Sequence, residues 1–421
     1  MPLRTLAPDT ALLFITRIAR MFAYGFLSVV LALYLAEIGF DAAQIGALFT
    51  LALIGDAVIS LWLTTSADRF GRQRTLIVGA ALMLFAGMAF AFTKNFFILA
   101  IAAIIGVISP SGNEIGPFLS IEQASLSQII RDEQRTRIFA WYNLVGSFAT
   151  ALGALCGGGL VQALQGAGAP AVESYRTIVI AYAAMGAALA LLFTRLSAAI
   201  QPRVISDPSL KTRLGLHRSQ SVVLKLSALF ALDAFAGGFV IQSLLAYWFY
   251  TQYKVDPGML GAIFFGANIF AGISSLAAAR IAAKFGLINT MVFTHIPSNI
   301  LLILVPLMPN LGLAIALLLA RFSISQMDVP TRQSYTMAVV APDERSAASG
   351  ITTIARSVGA ALSPSLAGVL LSTPFLAAPF FIAGGLKIVY DLALYRSFIT
   401  MKPPEEETNT SLGAKRSNLS K

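Results

Sequence analysis

The chain is dominated by apolar segments that are long enough to cross a lipid bilayer. A membrane-spanning helix needs about 20 mostly apolar residues. Hydrophobic residues make up 57% of these 421 residues, whereas charged residues make up only 12%. Apolar runs and the residues that break them predict twelve spans, at about residues 11–36, 44–66, 75–93, 96–128, 137–164, 175–196, 221–250, 259–283, 288–308, 311–340, 346–372 and 375–399. The sequence therefore predicts an all-α polytopic membrane protein with 12 transmembrane helices.

Basic residues in the short connections predict the orientation of these spans, because such residues are retained on the cytoplasmic side. They are concentrated in every second connection, at Arg69, Arg72 and Arg74, at Arg131, Arg135 and Arg137, at Arg203, Lys211, Arg213 and Arg218, at Lys284, and at Arg345. We therefore expect a multi-pass protein of a plasma or inner cell membrane with both termini in the cytoplasm. The same topology explains the net charge of +10. The sequence has no nucleic-acid-binding module, and the expected partner surface is the lipid bilayer.

The second half of the chain repeats features of the first half. Corresponding residues lie 210 to 215 positions apart: residues 20–26 and 233–239, Gly71 and Gly286, and Gln123 and Gln333. Parallel repeats of this kind occur in transporters whose halves are related by an axis along the membrane normal. The predicted domains are an N-terminal six-helix bundle at 1–196, a cytoplasmic linker at 197–220, a C-terminal six-helix bundle at 221–400 and a disordered cytoplasmic tail at 401–421.

A short charged loop at residues 64–75 separates the second and third predicted spans. Its residues Asp68, Arg69, Gly71, Arg72 and Arg74 match the D-R-x-G-R-x-R part of a known loop signature. Thr64 stands where that signature usually has glycine, and Gln73 replaces a basic residue. Through this loop, and over roughly residues 11–400, the chain resembles the major facilitator superfamily of transporters.

The resemblance implies two pseudosymmetric six-helix bundles that expose one central site to each side of the membrane in turn. It also implies that the loop is a conformational latch on the cytoplasmic side. In that role the Asp68 carboxylate would meet the N-terminus of the eleventh span near Ser346. Arg72 would reach Asp132 or Glu133.

Ionisable residues inside the spans are the main candidates for function, because a charge inside a bilayer is costly. The first and fourth spans contain Arg20 and Glu122, and their repeat equivalents are Asp233 and Arg332 with the signs reversed. We therefore predict two buried ion pairs, Arg20 with Glu122 and Asp233 with Arg332. These pairs either fasten helices together or line the transport cavity.

Residues 109–117 place two prolines and two glycines near the middle of the fourth span, together with Glu114. Interrupted helices near the midplane are typical of transporter binding sites. Burial favours the neutral form of a carboxyl group, so Glu114 is the first candidate to carry a proton or another cation. The alternatives are a carboxylate held by an arginine and a protonated carboxyl group that packs between helices. The candidate coupling residues are Glu114, Asp56, Asp233 and Asp328.

Polar residues elsewhere in the spans are candidates for contacts with a solute. Arg321 and Asp328 are seven positions apart and share a helix face, so Arg321 is predicted to pair with Asp328 or to hold an anionic solute, with the pairing favoured. The candidate substrate-binding residues are Tyr24, Asn113, Gln242, Asn268, Arg321 and Gln326. Each of them could instead be a hydrogen-bond partner between helices.

The fifth span carries a small-residue run at 153–159 that resembles the G-P-x-x-G-G element of proton-coupled exporters, with Ala154 in place of the proline. The predicted function is secondary active export of a small solute in exchange for protons. The alternatives are uptake or facilitated diffusion of a small metabolite, and a membrane sensor of the same fold that does not transport. With one cysteine, two histidines and no nucleophile motif, we expect no metal site, no cofactor and no enzyme activity.

Overall fold

The computed structural model describes residues 8–114, 116–130, 132–201, 216–341 and 344–401. The side chains of Asp68, residues 132–137 and Ser346 also lie outside the description. Most of the predicted linker and the predicted tail fall outside these ranges. The predicted latch contacts of Asp68 and of Arg72 with Asp132 or Glu133 therefore fall outside them too.

The described residues form sixteen α-helices, two short 3-10 helices and no strand. The α-helices are α1 (Pro8–Ser28), α2 (Leu31–Glu37), α3 (Ala42–Phe70), α4 (Arg72–Phe92), α5 (Phe96–Ile105), α6 (Phe118–Ile129), α7 (Asp132–Gly166), α8 (Ala171–Phe193), α9 (Gln220–Gly238), α10 (Gln242–Tyr253), α11 (Pro257–Phe285), α12 (Leu287–Leu304), α13 (Leu311–Ser325), α14 (Asp328–Val339), α15 (Arg345–Leu371) and α16 (Ala378–Phe398). The 3-10 helices are Ala198–Ile200 and Val305–Leu307.

Eleven helical stretches of the described chain are long and apolar enough to cross a membrane. The fourth predicted span, at 96–128, is not one continuous helix. This region forms α5 and α6, separated by irregular backbone at residues 106–117. Pro110 and Pro117 lack the N–H that a helix ladder needs. Gly112 and Gly116 adopt positive φ values of +70° and +80°, which only glycine adopts without strain.

Interruptions occur in all four repeat-related spans, the first, fourth, seventh and tenth. They separate α1 from α2, α5 from α6, α9 from α10, and α13 from α14. Broken helices within a membrane free backbone groups that can bind ligands or other side chains. The interruptions therefore place irregular backbone close to most of the ionisable residues predicted from the sequence.

The connections after α3 and after α11 show the repeat at atomic detail. Gly71 has a φ of +94°, and Gly286 has a φ of +86°. The carbonyl of each accepts hydrogen bonds from the backbone and the hydroxyl of the threonine four residues later, Thr75 or Thr290. The correspondence between these residues in the sequence therefore reflects a shared turn that needs glycine for its backbone conformation.

The chain divides into two compact units that differ from the two halves of the sequence. The first unit comprises Met1–Ser206, Gly238–Ile269 and Ala361–Pro379, and the second comprises Asp207–Gly237, Phe270–Ala360 and Phe380–Lys421. The first unit thus includes α10 and one end each of α11 and α15. The division into two six-helix bundles stays a prediction.

Close helix contacts explain why those segments belong to the first unit. A methyl group added to Gly158 of α7 would lie 2.2 Å from the Pro257 carbonyl oxygen, and one added to Gly46 of α3 would lie 2.3 Å from the Pro364 carbonyl oxygen. The glycine run of α7 also approaches α1, where a methyl group on Gly153 would lie 2.1 Å from the backbone of Phe22. These glycines are therefore required by packing as well as by any role in transport.

Candidate functional site: two buried charge clusters

The first cluster lies in the first unit and consists of Arg17, Arg20, Glu114 and Glu122. Arg20 and Glu122 are both fully buried. Two guanidinium nitrogens of Arg20 donate to the two carboxylate oxygens of Glu122, each over 2.7 Å, and its Nε donates to Glu114 over 2.9 Å. This two-pronged geometry is the strongest arrangement of an arginine with a carboxylate.

Arg17, which sequence reasoning did not select, completes this cluster. It lies one helical turn before Arg20 in α1, and its Nη1 donates to Glu114 over 2.5 Å. Its Nε donates to the backbone carbonyl of Tyr142 over 2.8 Å, and the Tyr142 hydroxyl donates to Glu122. Glu114 is therefore a carboxylate between two guanidinium groups, one of the alternatives that the sequence left open for this residue. Glu114 is also more accessible than Glu122, because 15% of its side chain is exposed and none of the Glu122 side chain is.

Asp56 of α3 lies beside the same irregular segment without belonging to an ion pair among the described residues. Its Oδ1 accepts a hydrogen bond from the Gly116 backbone N–H over 2.5 Å and one from the Ser60 hydroxyl over 2.9 Å. Gly116 is two residues from Glu114. Asp56 and the first cluster are thus linked by a short piece of irregular backbone.

The second cluster lies in the second unit and is centred on Asp233 of α9. The Asp233 carboxylate accepts from Lys387 over 2.5 Å, from Arg356 over 3.2 Å and from Arg332 over 3.3 Å. Arg332 also donates to Asp328 over 2.7 Å. The geometry therefore brings Arg332 together with Asp233, as the repeat suggests, but the cluster is larger than one pair.

The favoured pairing of Arg321 with Asp328 is not formed. Asp328 pairs with Arg332 on its own helix, one turn later, because the backbone interruption between Ser325 and Asp328 breaks the helix face that would have aligned it with Arg321. Arg321 is 8% exposed, and its Nε has no hydrogen-bond partner among the described residues.

A buried polar group next to the second cluster contains His295, Asn299 and Asp391. One Asp391 oxygen lies 2.8 Å from His295 Nδ1, and the other accepts from the Asn299 amide over 3.0 Å. Sequence reasoning had considered Asn299 as a polar residue of the cavity wall, but it missed His295, Asp391, Arg356 and Lys387 as site residues. The signal was present for Lys387 and Asp391, because both are charged residues inside an apolar span.

Two of the predicted substrate-binding residues bind each other. In the first unit the Asn268 amide donates to Gln242 over 3.2 Å, and the Gln242 amide donates to the Ser28 hydroxyl over 2.8 Å. This is the alternative in which such residues link helices. The side-chain hydroxyl of Ser243 also donates to the Ser28 carbonyl over 2.6 Å.

The other predicted contact residues have different environments. Tyr24 is fully buried, with its ring centroid 6.5 Å from that of Tyr182, so it does not line an open cavity in this structure. Asn113 is exposed on the irregular segment. Gln326 is half-buried in the interruption after α13, where its backbone N–H donates to the Ser274 hydroxyl over 3.3 Å.

The charged loop packs against the end of α8 and the segment that follows it. Arg72 donates to the Gln128 side chain over 3.0 Å and to the Ile200 carbonyl over 3.2 Å. Gln73, which replaces a basic residue of the signature, donates to three carbonyls at the end of α8 and just beyond it. Arg69 and Arg74 are exposed.

Outside the membrane spans, Glu344 joins the start of α9 to the start of α15. Burial acts to raise the pKa of the Glu344 carboxyl. Hydrogen bonds from the Ser219 hydroxyl and from the backbone N–H groups of His217, Arg218 and Ser219 outweigh it and lower the pKa to about 2. The carboxylate thus satisfies N–H groups at the N-terminus of α9, which would otherwise lack partners.

Comparison with known proteins assigns this architecture to a family. The model of the Major Facilitator Superfamily matches residues 13–356 and, in a second match, residues 226–421. An uncharacterized membrane protein, YJR124C of Saccharomyces cerevisiae, is 30% identical over 93% of this chain and 94% of its own length. The quinolone resistance protein NorA of Staphylococcus aureus is 22% identical over 86% of this chain and 90% of its own length.

The fold is similar to that of the nucleoside transporter NupG, with a TM-score of 0.72 and 15% identity over 92% of this chain and 99% of that one. The family match indicates a polytopic membrane transporter rather than an enzyme. The chain belongs to the major facilitator superfamily. No cluster of three or more metal-binding side chains occurs in the part of the chain that the structure describes.

Proposed function

We propose that this protein is a secondary active transporter that exports a small organic solute in exchange for protons. The observation that carries the proposal is Asp56, an ionisable carboxyl within a span that no described cation neutralises. The low dielectric of a membrane favours the neutral form of a carboxyl group, and a guanidinium partner favours its charged form. Asp56 lacks such a partner, whereas Glu114 has two. Asp56 is therefore the proton-binding residue in this proposal.

The hydrogen bond from the Gly116 N–H to Asp56 links protonation of Asp56 to the geometry of the first cluster. A hydrogen bond to a charged carboxylate is stronger than one to its neutral form. Protonation of Asp56 therefore weakens its bond to the Gly116 N–H and loosens the segment that holds Glu114 against Arg17 and Arg20. A proton thus changes the relative free energies of two conformations, which is what coupled transport by alternating access requires.

Two observations favour export as the direction of transport. The name of the relative NorA describes a role in drug resistance, which is in keeping with export. The glycine run of α7 also favours export, because it resembles an element of proton-coupled exporters. Uptake or facilitated diffusion of a metabolite is the second candidate, because the buried Arg321 would suit an anionic solute. We also infer a cell-membrane location with both termini in the cytoplasm from the distribution of basic residues.

Flux measurements test this function. Purified protein is placed in sealed vesicles that contain a pH-sensitive dye, a proton gradient is imposed, and a panel of small organic solutes is screened. We expect wild type to show solute-dependent proton movement whose sign gives the direction. Asp56→Asn should abolish this movement. Asp41→Asn makes the same change at the exposed start of α3, where asparagine is also a good cap, and should keep it.

Two outcomes would overturn the proposal. Solute movement without protons in wild type would make facilitated diffusion the better account. Binding of solutes without any flux would favour the sensor alternative. Glu114→Gln distinguishes the two carboxyl groups, because we expect it to slow transport without removing the proton requirement.

A further inference from the structure

The second cluster carries more positive than negative charge. Its cations are Arg321, Arg332, Arg356 and Lys387, and the carboxylates within and beside it are Asp233, Asp328 and Asp391. Four cations against three carboxylates leave an excess of one positive charge. A charge without a counter-ion is costly in a region of low dielectric. The cluster is thus electrostatically incomplete on its own.

Arg321 is the cation that the carboxylates leave unpaired. Asp233 and Asp328 are close enough to interact with it electrostatically. Neither forms an ion pair with it. Both Asp233 oxygens accept from Lys387, Arg356 or Arg332, and Asp328 pairs with Arg332. The described contact of the Arg321 guanidinium is with the ring of the adjacent Phe322, 5.0 Å from its carbon to the ring centroid. Its Nε is buried without a hydrogen-bond partner in the described chain.

Ser325 places a second unsatisfied polar group on the same face of α13. It lies one helical turn after Arg321 and is 4% exposed, and its hydroxyl also lacks a partner among the described residues. Buried polar groups without partners are uncommon in folded proteins and call for an explanation, such as an unobserved ion. The Arg321 guanidinium and the Ser325 hydroxyl are hydrogen-bond donors one helical turn apart, a spacing at which both can bind one anionic group.

The second cluster is also accessible at one edge. Arg356 has 33% of its side chain exposed, whereas Arg332 and Lys387 have less than a tenth exposed. Its exposed position gives an anion an approach to the cluster along a positively charged side chain. An amine would be repelled by the same excess charge, because each carboxylate already has a cation or an imidazole beside it.

We propose that Arg321 and Ser325 form a binding site for the oxyanion group of an organic acid, a carboxylate or a phosphate. The planar guanidinium binds either group through two parallel N–H donors, and the Ser325 hydroxyl supplies a further donor. The anion neutralises the excess charge of the second cluster. The inference rests on the proposed transport function, since it names the class of solute that the protein carries.

Ligand-dependent thermal stability of the purified full-length protein in detergent tests the site without requiring flux. The probes are benzoate, phenyl phosphate, inorganic phosphate and uncharged benzyl alcohol, all at matched ionic strength. We expect benzoate or phenyl phosphate to raise the melting temperature of wild type in a saturable manner, and benzyl alcohol to have no such effect. The organic anion that stabilises more strongly identifies the preferred oxyanion.

The variants are Arg321→Gln, Arg321→Lys and Ser325→Ala. A matched control is Arg396→Gln, which removes an exposed arginine from the same unit. Arg321→Gln should weaken binding by roughly tenfold to a hundredfold, the loss expected for a hydrogen bond to a charged group. Arg321→Lys should retain part of the affinity, Ser325→Ala should lower it severalfold, and Arg396→Gln should leave it unchanged. If Arg321→Gln does not fold, the other two variants still test the site.

The proposal fails if no organic anion stabilises wild type, if inorganic phosphate alone does so, or if the Arg321 and Ser325 variants bind as wild type does. These failures are distinct from a failure of the proposed function. Proton-coupled flux of an uncharged solute would keep the function and remove the anion site. Saturable anion binding without flux would keep the site and remove the transport function.

Discussion

The two units bury charge in opposite ways. The first cluster and Asp56 together contain two arginines and three carboxylates, an excess of one negative charge, and the residue outside an ion pair is an acid. In the second unit, cations are in excess and the residue outside an ion pair is Arg321. An acid without a counter-ion is suited to bind a proton, and an arginine without one is suited to bind an anion. The two units therefore differ in the sign of the buried group that lacks a counter-ion.

The largest effect expected is on stability, from removing one member of the first cluster. Glu122→Gln leaves the fully buried Arg20 without its two-pronged partner, and we expect a loss of about 3–5 kcal/mol in the free energy of unfolding. Neutralising both residues, Arg20→Gln with Glu122→Gln, should cost less than either single change. Thermal unfolding in detergent measures the loss of stability in each single variant and in the double variant. A double variant as unstable as the sum of the single variants would show that the pair acts through packing instead.

An exposed pair provides the control for that experiment. Arg176 and Glu173 lie three positions apart in α8 and contact each other at the surface. Neutralising Glu173, whose side chain is 55% exposed, should cost no more than about 1 kcal/mol, because surface ion pairs contribute little.

The anion affinity of the second cluster should increase when a carboxylate is removed from it. Asp328→Asn raises the excess of positive charge by one and releases Arg332 from its 2.7 Å contact. We expect benzoate or phenyl phosphate to bind threefold to tenfold more tightly, about 1 kcal/mol, in titrations that follow melting temperature. Asp56→Asn changes charge in the other unit and should leave anion affinity within about twofold. Equal effects of the two variants would remove the distinction between the clusters.

The backbone interruptions of α5/α6 and α13/α14 should differ in their tolerance of substitution. Gly112 has a φ of +70°, so Gly112→Ala should cost roughly 1–2 kcal/mol. Gln326 occupies the corresponding interruption of the second half with a φ of −97°. Gln326→Ala should therefore change stability by less than about 0.5 kcal/mol. Melting temperatures of the two variants, compared in one detergent, measure the difference. Equal losses would contradict the conclusion that position 112 needs glycine for its positive φ.

The smallest effect expected is the pH dependence contributed by Glu344. The folded-state pKa of about 2 lies below the usual value of 4.5, so the carboxylate stabilises the fold fully above pH 4.5. This contribution is lost as the pH falls from about 4.5 towards 2. Glu344→Gln should flatten the decline of melting temperature over that range, and Glu173→Gln should not. A wild-type slope in the Glu344 variant would contradict the assignment.

Much of the fold was predictable from sequence because the bilayer imposes long apolar helices. The charged loop identified the family, and the repeat placed Arg20 and Glu122 on facing helices. The prolines and glycines of residues 109–117 indicated an interruption of the fourth span, but they did not show where α5 ends and α6 begins. Whether a helix bends or stops there depends on tertiary partners such as Asp56, which accepts the Gly116 N–H.

The composition of the charge clusters was less predictable. A sequence shows that Asp233 is charged but not how many cations reach it, since Arg332, Arg356 and Lys387 come from three different helices. Arg17 lies within α1 only three residues before Arg20, and the sequence did not show that both arginines reach Glu114. The pairing of Arg321 with Asp328 assumed a continuous helix, and the interruption between them removed the shared face.

Proton coupling through Asp56 is tested most directly by comparing two kinds of transport in the same vesicles. Exchange of labelled for unlabelled solute at equal pH needs no net proton movement, whereas accumulation driven by a pH gradient does. For Asp56→Asn the account predicts that exchange continues and that gradient-driven accumulation is lost, while Asp41→Asn retains both. Accumulation by Asp56→Asn at the wild-type rate would contradict the account.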